Sequence, residues 1–339
     1  MPSELAARVL SGETRAAARA CRAVDDRLPG HRELMKELYP HSRGAWVIGV
    51  TGTPGAGKST LTDQLIGRFR AAGGRVGVVA VDPTSPFTGG AILGDRIRMQ
   101  RHFEDPDVFI RSVATRGALG GLSRSTSDIS RILDAWGAQV VIVETVGVGQ
   151  DELEVTRMAH TTLVVMAPGL GDDVQAIKAG ILECADVFAV NKADRDGADA
   201  TVRDLEVMLA LSGDIYSVAA AKGRGHSAVT VSAHAQAGAR GAGWTPAVVK
   251  TSATRGQGIA ELEEKLREHS AWLDSEAGQA RRTERLHLQM LTFLRDALAE
   301  EAAAELGAEI EAAAQAVARL ETDPYTASEQ LIAKFRARA

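Results

Sequence analysis

The sequence predicts an α/β fold with a mostly parallel central sheet flanked by helices. Between residues 45 and 268, short apolar runs alternate with amphipathic segments, which is typical of strands and helices that follow one another along the chain. We expect the strands to run parallel and to present their carboxyl ends to one site. The apolar runs lie at 45–50, 76–81, 108–113, 139–144, 162–167, 186–190 and 247–251.

Helical patterns flank this central region on both sides. Before residue 44, apolar residues recur at helical spacing, and Leu28-Pro29-Gly30 separates a first helical stretch from a second at 31–38. After Ile259 the helical spacing returns. We therefore predict an N-terminal helical extension at 1–43, a main domain at 44–268 and a C-terminal helical region with an arm at 269–339.

The C-terminal region contains a helix that is apolar on more than one face, which is more than a lone surface helix needs. Two interpretations stay open: the helix packs against the main domain, or it forms a dimer with a second copy, which we favour. The Ala/Glu-rich tail from Ala302 to Ala339 is predicted to be an extended arm. The apolar residues of the helix are Leu286, Leu288, Met290, Leu291, Phe293, Leu294 and Leu298.

Residues 212–243 are rich in Gly, Ala, Ser and His and show no clean period, which predicts a flexible surface insertion. His226 and His234 lie in this stretch, but they lack the spaced partners that a metal site needs.

Composition narrows the class of protein. The net charge of −5 and the lack of a basic stripe argue against nucleic-acid binding. No apolar run approaches the ~20 residues that span a bilayer, and the N-terminus with Glu4 does not read as a signal peptide. The two cysteines, Cys21 and Cys184, show no metal-ligand spacing. We expect a cytoplasmic protein that contacts neither membrane nor nucleic acid.

A glycine-rich loop between the first strand and the next helix fits the P-loop spacing in full. Its backbone N–H groups would face phosphates at the positive end of the helix. Lys58 would reach the β- and γ-phosphates, and the Ser59 hydroxyl would bind Mg²⁺. A plain glycine-rich turn is the alternative, and the Lys-Ser pair argues against it. The predicted nucleotide-binding residues are Gly52, Thr53, Pro54, Gly55, Ala56, Gly57, Lys58, Ser59 and Thr60.

A second motif addresses the choice of base. Asn191-Lys192-Ala193-Asp194 follows the apolar run at 187–190. One carboxylate accepts both guanine N1–H and N2–H₂, whereas adenine offers no such pair, so Asp194 favours GTP over ATP. Asn191 would brace the loop, and the Lys192 stem would lie over the base. After the last strand, backbone amides of Ser252, Ala253 and Thr254 are predicted to contact the guanine oxygen.

Three acidic residues are candidates for the Mg²⁺ shell and for catalysis. Glu144 ends one apolar run and Asp82 ends another, so both are expected at the phosphate edge of the sheet. Asp95 follows a glycine-rich segment that resembles a nucleotide switch. As an alternative, Asp82 and Asp95 would be N-caps. Val148 follows Gly147, at a position where a polar side chain would orient the attacking water. Valine has no polar atom for this role, so we expect slow hydrolysis that depends on a partner.

Taken together, these motifs closely resemble those of the MeaB/ArgK family of P-loop GTPases. The resemblance covers roughly residues 1 to 300 and departs from the family at the long insertion before Trp244-Thr245-Pro246. The strings that carry it are Thr51–Thr60, Val81–Pro86, Thr115–Gly117 with Leu119–Gly121, Glu144–Gln150 and Asn191–Asp194.

The resemblance implies a homodimeric GTPase with a GTPase domain at 44–268, a metallochaperone-type G-protein that serves an adenosylcobalamin-dependent acyl-CoA mutase. GTP hydrolysis would gate loading, protection or reactivation of the cofactor, which reaches the system only through the mutase. The family's catalytic and Mg²⁺ positions fall on Lys58, Ser59, Asp82, Asp95 and Glu144, and its additional switch on 169–175.

Two alternative functions, metal insertion and an amino-acid-transport kinase, predict other sequence features. A GTPase that inserts nickel or another metal would usually show Cys/His clusters or a His-rich tail. A kinase of amino-acid transport would need a phosphoacceptor site, which the sequence does not reveal.

Overall fold

The computed structural model describes residues 3–82, 99–114, 121–145, 151–169, 184–222 and 243–338. Its centre is a seven-stranded parallel sheet in the order β3-β2-β4-β1-β5-β6-β7. The predicted parallel α/β sheet is therefore confirmed. The strands are β1 (Trp46–Gly52), β2 (Val76–Asp82), β3 (Val108–Ala114), β4 (Val140–Thr145), β5 (Thr161–Met166), β6 (Val187–Val190) and β7 (Ala247–Lys250).

Ten α-helices surround or follow the sheet within the described ranges, together with 3₁₀ turns at Tyr39–His41, Gln100–His102 and Ala253–Arg255. The helices are α1 (Glu4–Leu10), α2 (Thr14–Asp25), α3 (His31–Leu38), α4 (Lys58–Ala71), α5 (Gly121–Trp136), α6 (Asp151–Met158), α7 (Ala198–Lys222), α8 (Ile259–Trp272), α9 (Glu276–Ala318) and α10 (Pro324–Arg338).

Alternate residues of the strands enter different layers of the core. Val79 and Val141 pack in a cluster with α1, α2, α3 and α5, whereas Val78 and Ile142 pack in a second cluster with α4 and α8. Successive side chains of a strand point to opposite faces, so helices on both sides bury every residue of β4. This double burial explains why the strands are visible in the sequence as continuous apolar runs.

The N-terminal helices form part of the first of these layers. The Trp136 indole N–H on α5 donates to the Gly12 carbonyl at 3.0 Å, and Arg111 on β3 pairs with Asp25 on α2 at 2.8 Å. Cys21 is fully buried among these helices, and burial raises the pKa of its thiol to about 12. This thiol is therefore protonated and packs as a small apolar group.

The first part of the predicted surface insertion is helical. Residues 212–222 continue α7, which extends from Ala198 to Lys222, so this part of the prediction was wrong. The alanine-rich end of the segment, Ala219-Ala220-Ala221, favours the helix enough to outweigh Gly213. The rest of the predicted insertion, including His226 and His234, lies outside the described residues.

The chain divides into two compact units, residues 1–282 and 283–339. In the second unit α9 is kinked at Leu306, which is buried, and the Arg338 guanidinium on α10 donates to the Glu305 carbonyl at 2.9 Å. The predicted arm at 302–339 is therefore helical, and its last helix, α10, folds back on α9. None of the helices in the described part of the chain is long and apolar enough to cross a membrane.

Candidate functional site

The loop between β1 and α4 has positive φ values at three of its glycines. Gly52, Gly55 and Gly57 have φ values of 131°, 76° and 91°, which residues with a side chain rarely adopt. A Cβ at Gly52 would also lie 2.0 Å from the Val165 carbonyl oxygen of β5. The loop therefore follows the neighbouring strand closely and curls into the first turn of α4, where its N–H groups can receive an anion.

Lys58 and Ser59 begin α4 and are both buried. The Lys58 ammonium donates to the carbonyls of Gly52 at 2.9 Å and Thr53 at 3.0 Å. The positive charge is thus held against the loop itself. Pro54 lies in the loop, and Thr60 lies in the first turn of α4.

Glu144 reaches the same place from β4. Val50 of β1 is in register with Glu144, and the Ser59 hydroxyl donates to Glu144 Oε1 at 2.6 Å. Glu144 is only 2% exposed, so its carboxyl group is buried beside the first turn of α4. One position further along, the Thr145 hydroxyl donates to the Thr51 hydroxyl at 3.1 Å, which ties the ends of β4 and β1 together.

The base motif is joined to the phosphate loop by hydrogen bonds. The Asn191 side-chain amide donates to the Ala56 carbonyl at 2.8 Å, and the Lys192 ammonium donates to the Gly55 carbonyl at 2.6 Å. Asn191 Oδ1 accepts the backbone N–H of Ala253 at 3.0 Å. Asn191 therefore connects the phosphate loop, the base motif and the loop after β7.

Asp194 lies at the end of this motif with a carboxylate prepared for hydrogen bonding. The Ser252 hydroxyl donates to Asp194 Oδ1 at 2.7 Å, and an Arg255 guanidinium nitrogen is 3.3 Å from Oδ2. The Ser252 hydrogen bond, helped by the Arg255 charge, lowers the pKa of Asp194 below its usual range. The carboxylate is thus ionised at neutral pH and can accept two N–H groups from one edge of guanine.

Some of the predicted site residues lie beyond what the structure describes. Asp82 ends β2 at the same edge of the sheet as Glu144, which places its backbone but not its side chain. Asp95, Val146–Gln150, Thr115–Gly117 and the stretch from residue 170 to residue 175 lie outside the described residues. Ser252, Ala253 and Thr254 do follow β7 beside Asn191, although the Ala253 N–H is used by Asn191 itself.

Asp63 on α4 forms a polar cluster with Arg101 and His102 that the sequence motifs do not predict. An acidic residue inside the helix, four positions after Ser59 and therefore on the same face, is the signal that would have drawn attention to it.

The fold and this loop geometry define a P-loop GTPase. A family model described as methylmalonyl Co-A mutase-associated GTPase MeaB matches residues 17–306. The chain therefore belongs to the MeaB family of GTPases, as its motifs predicted, and it hydrolyses GTP.

Known proteins agree with this assignment. The chain is 44% identical over 334 residues to a Pyrococcus abyssi protein named as a GTPase, covering 98% of this chain and 96% of that one. It is 34% identical over 239 residues to the mouse methylmalonic aciduria type A homolog, mitochondrial, covering 70% and 52%. A crystal structure of an LAO/AO transport system kinase matches with a TM-score of 0.64 and 26% identity, covering 98% and 97%.

Proposed function

We propose that this GTPase serves an adenosylcobalamin-dependent acyl-CoA mutase of the methylmalonyl-CoA mutase type. It would use GTP hydrolysis to gate loading, protection or reactivation of the mutase cofactor, and would do so in the cytoplasm. The observation that carries the proposal is the match over residues 17–306 to a family described as mutase-associated. The similarity to the mouse relative, which is named for methylmalonic aciduria, agrees with the proposal.

In this proposal the phosphate and base loops act as one nucleotide site. The N–H groups of the loop and the Lys58 ammonium bind the phosphates, and Asp194 selects guanine. The Lys58 ammonium would exchange its two carbonyl partners for phosphate oxygens. Because Asn191 and Lys192 bond to the phosphate loop, base and phosphate binding should be coupled.

The residues at the start of α4 and the end of β4 fit Mg²⁺. Mg²⁺ prefers hydroxyl, carboxylate and phosphate oxygens, and the Ser59 hydroxyl and the Glu144 carboxylate are buried together at 2.6 Å. When bound, Mg²⁺ neutralises charge that develops on the phosphates. Ser59 would bind it directly, Glu144 would orient Ser59 or bind through water, and Asp82 and Asp95 would complete the shell.

We further propose that basal hydrolysis is slow and that the mutase raises it. Fast GTP hydrolysis needs a side chain that orients the attacking water. The sequence supplies Val148 after Gly147, and a valine side chain has no polar atom to do this. The client or a rearrangement that it induces would supply the missing group.

The C-terminal unit is proposed to form a homodimer. Five large apolar residues of α9 have 47% or more of their surface exposed, and four of them follow one another at steps of four residues along the helix. A continuous apolar stripe of this kind is typical of a helix that pairs with a second copy. The residues are Leu286, Met290, Leu291, Leu294 and Leu298.

A pull-down tests the choice of client. The tagged GTPase, loaded with either GDP or a non-hydrolysable GTP analogue, is mixed with purified methylmalonyl-CoA mutase, with ethylmalonyl-, isobutyryl- and 2-hydroxyisobutyryl-CoA mutases as the comparison set. We expect one mutase to be retained, with an affinity that depends on the nucleotide. If none of them is retained with either nucleotide, the proposed client class is wrong.

A further inference from the structure

The Asp194 carboxylate has a limited number of places for donors. An ionised carboxylate offers about four lone-pair sites. The Ser252 hydroxyl uses one of them, on Oδ1 at 2.7 Å, and the backbone N–H of Asp194 itself uses another. Guanine brings two N–H groups side by side, which fill the remaining two sites. A bound guanine therefore leaves no room on this carboxylate for a further donor.

Arg255 is that further donor. One of its guanidinium nitrogens lies 3.3 Å from Asp194 Oδ2, which is about where the nitrogen of a hydrogen-bonded N–H group would lie. The guanidinium thus occupies space on the carboxylate that a base with two N–H groups needs. Of the three groups that contact the Asp194 carboxylate, one has to yield to guanine.

Ser252 is too well fixed to yield. It is only 1% exposed, and its backbone N–H donates to the Gln257 carbonyl at 3.0 Å. The Gln257 N–H returns a hydrogen bond to the Ser252 carbonyl at 3.2 Å. The hydroxyl therefore stays on Oδ1 as long as the loop after β7 keeps its shape. The backbone N–H of Asp194 is part of the chain and cannot withdraw either.

Arg255 can leave at little cost. Its side chain is 60% exposed, and an ion pair this exposed contributes little net free energy. The backbone of Arg255 does not have to move with the side chain, because its N–H donates to the Ser252 carbonyl at 3.0 Å and Gly256, with a φ of 67°, closes the turn. The guanidinium is therefore the group that gives way.

We infer that Arg255 is a specificity-determining residue, because it competes with guanine for Asp194 Oδ2. A base that donates two N–H groups to Asp194 has to displace Arg255, whereas a base that donates one binds while Arg255 stays. Guanine is of the first kind. Hypoxanthine, which lacks the N2 amino group, is of the second. Arg255 thus narrows the preference of the site for guanine over hypoxanthine. This inference rests on the proposed role of Asp194 in binding guanine.

Removing Arg255 leaves the charge of the carboxylate in place. The pKa of Asp194 is lowered first of all by the Ser252 hydrogen bond, and the Arg255 charge adds to that effect. Asp194 therefore stays ionised at neutral pH in Arg255→Ala. The substitution frees a site on Oδ2 without protonating it.

Arg195 offers a matched control. It is the exposed residue next to Asp194, and its positive charge also lowers the pKa of that carboxyl. Its effect is that of a nearby charge, whereas the Arg255 guanidinium lies against Oδ2. Arg195→Ala therefore removes the same charge from the surroundings of Asp194 and leaves the competitor on Oδ2.

The experiment measures the ratio of GDP affinity to IDP affinity in the full chain, by competition against fluorescently labelled GDP. GDP and IDP carry the same phosphates, so the ratio reports on the base alone. For Arg255→Ala we expect the ratio to rise about threefold, in the range of an exposed ion pair. Arg195→Ala should leave it unchanged, and Arg255→Lys, which keeps a cation, should also preserve it. In the unchanged protein the ratio should rise with salt, because salt screens the exposed ion pair.

A ratio that stays the same or falls in Arg255→Ala would show that Arg255 does not compete with guanine. An equal rise in Arg195→Ala would reduce the effect to charge alone and would also overturn the inference. The thermal midpoint of each variant verifies that the fold is kept. The role of Asp194 is judged separately with ADP: if the unchanged protein binds GDP and ADP equally, that role fails, and the inference fails with it. A clear preference for GDP over ADP with no rise in Arg255→Ala rejects the inference alone.

Discussion

We propose that Asp194 decides which base the site accepts. Its carboxylate is ionised at neutral pH and is held by Ser252 and Arg255. Asp194→Asn replaces one acceptor oxygen with a donor, which opposes guanine N2–H₂ but suits the C2 oxygen of xanthine. We expect GTP affinity to fall on the order of 100-fold, since a hydrogen bond to a charged group is worth about 1.5–3 kcal/mol.

Calorimetry with GTP, ATP and XTP measures this change. The unchanged protein should prefer GTP strongly, and Asp194→Asn should gain affinity for XTP. Equal affinity of the unchanged protein for GTP and ATP would contradict the role of Asp194.

We propose that turnover of the triphosphate requires Lys58. Lys58→Ala removes the only ammonium that the phosphate loop itself provides, so charge on the β- and γ-phosphates loses its counterpart. We expect the GTPase rate to fall by at least about 100-fold, as it does when a donor to developing charge is removed. Phosphate release under single-turnover conditions is the measurement, with Lys36→Ala on α3 as a lysine control. Turnover that survives Lys58→Ala would mean that the phosphate loop has been misassigned.

Much of the candidate site can be predicted from the sequence because its motifs are contiguous. The phosphate loop and the base motif each follow one strand, and their residue types state their chemistry. The contacts between motifs could not be predicted this way. The reach of Asn191 to Ala56 and the pairing of Asp63 with Arg101 depend on which strands and helices are neighbours in space.

At the scale of elements, Gly57 joins the two loops of the site. Its φ of 91° disfavours a side chain, and a Cβ there would lie 2.5 Å from the Asn191 amide nitrogen. Gly57→Ala should therefore move both the phosphate loop and the base motif, and weaken GDP and GTP alike by more than about tenfold, given a strain of roughly 1–3 kcal/mol.

Fluorescence titration with labelled GDP and GTP tests this coupling. Gly55→Ala is the comparison, because Gly55 also has a positive φ of 76° but has no heavy atom within 4 Å of an added Cβ. If the two changes weaken binding equally, backbone strain alone accounts for the loss, and the contact with Asn191 is irrelevant.

The strands could be predicted from the sequence, whereas the C-terminal half of α7 could not, and the difference has a physical reason. Strands buried on both faces leave a continuous apolar run, and β4 is buried at every position. The second half of α7 has no such period, so composition suggested an insertion where helix propensity prevails. Hydrophobic periodicity reports burial, whereas helix propensity acts without it and leaves no such pattern in the sequence.

At the scale of the whole molecule, the apolar stripe on α9 should hold two copies together. Leu294→Glu places a charge in the stripe, where Leu294 is 55% exposed. Burying that charge in a dimer is unfavourable, whereas an exposed glutamate suits a monomer's helix. We expect the molar mass from light scattering to halve, with little change in helix content by circular dichroism.

Leu320→Glu is the control for this prediction, because Leu320 is 91% exposed but lies outside the stripe. It should leave the mass at that of a dimer. A monomeric mass for the unchanged protein would contradict the proposed homodimer.

We propose above all that a cobalamin-dependent mutase controls GTP hydrolysis by this protein. The most direct measurement is the single-turnover GTPase rate with and without each purified acyl-CoA mutase, at saturating Mg²⁺. The account predicts a slow basal rate that one mutase raises at least about tenfold, within the range that a group supplied in trans provides. A rate that stays the same with every such mutase of the source cell would contradict it.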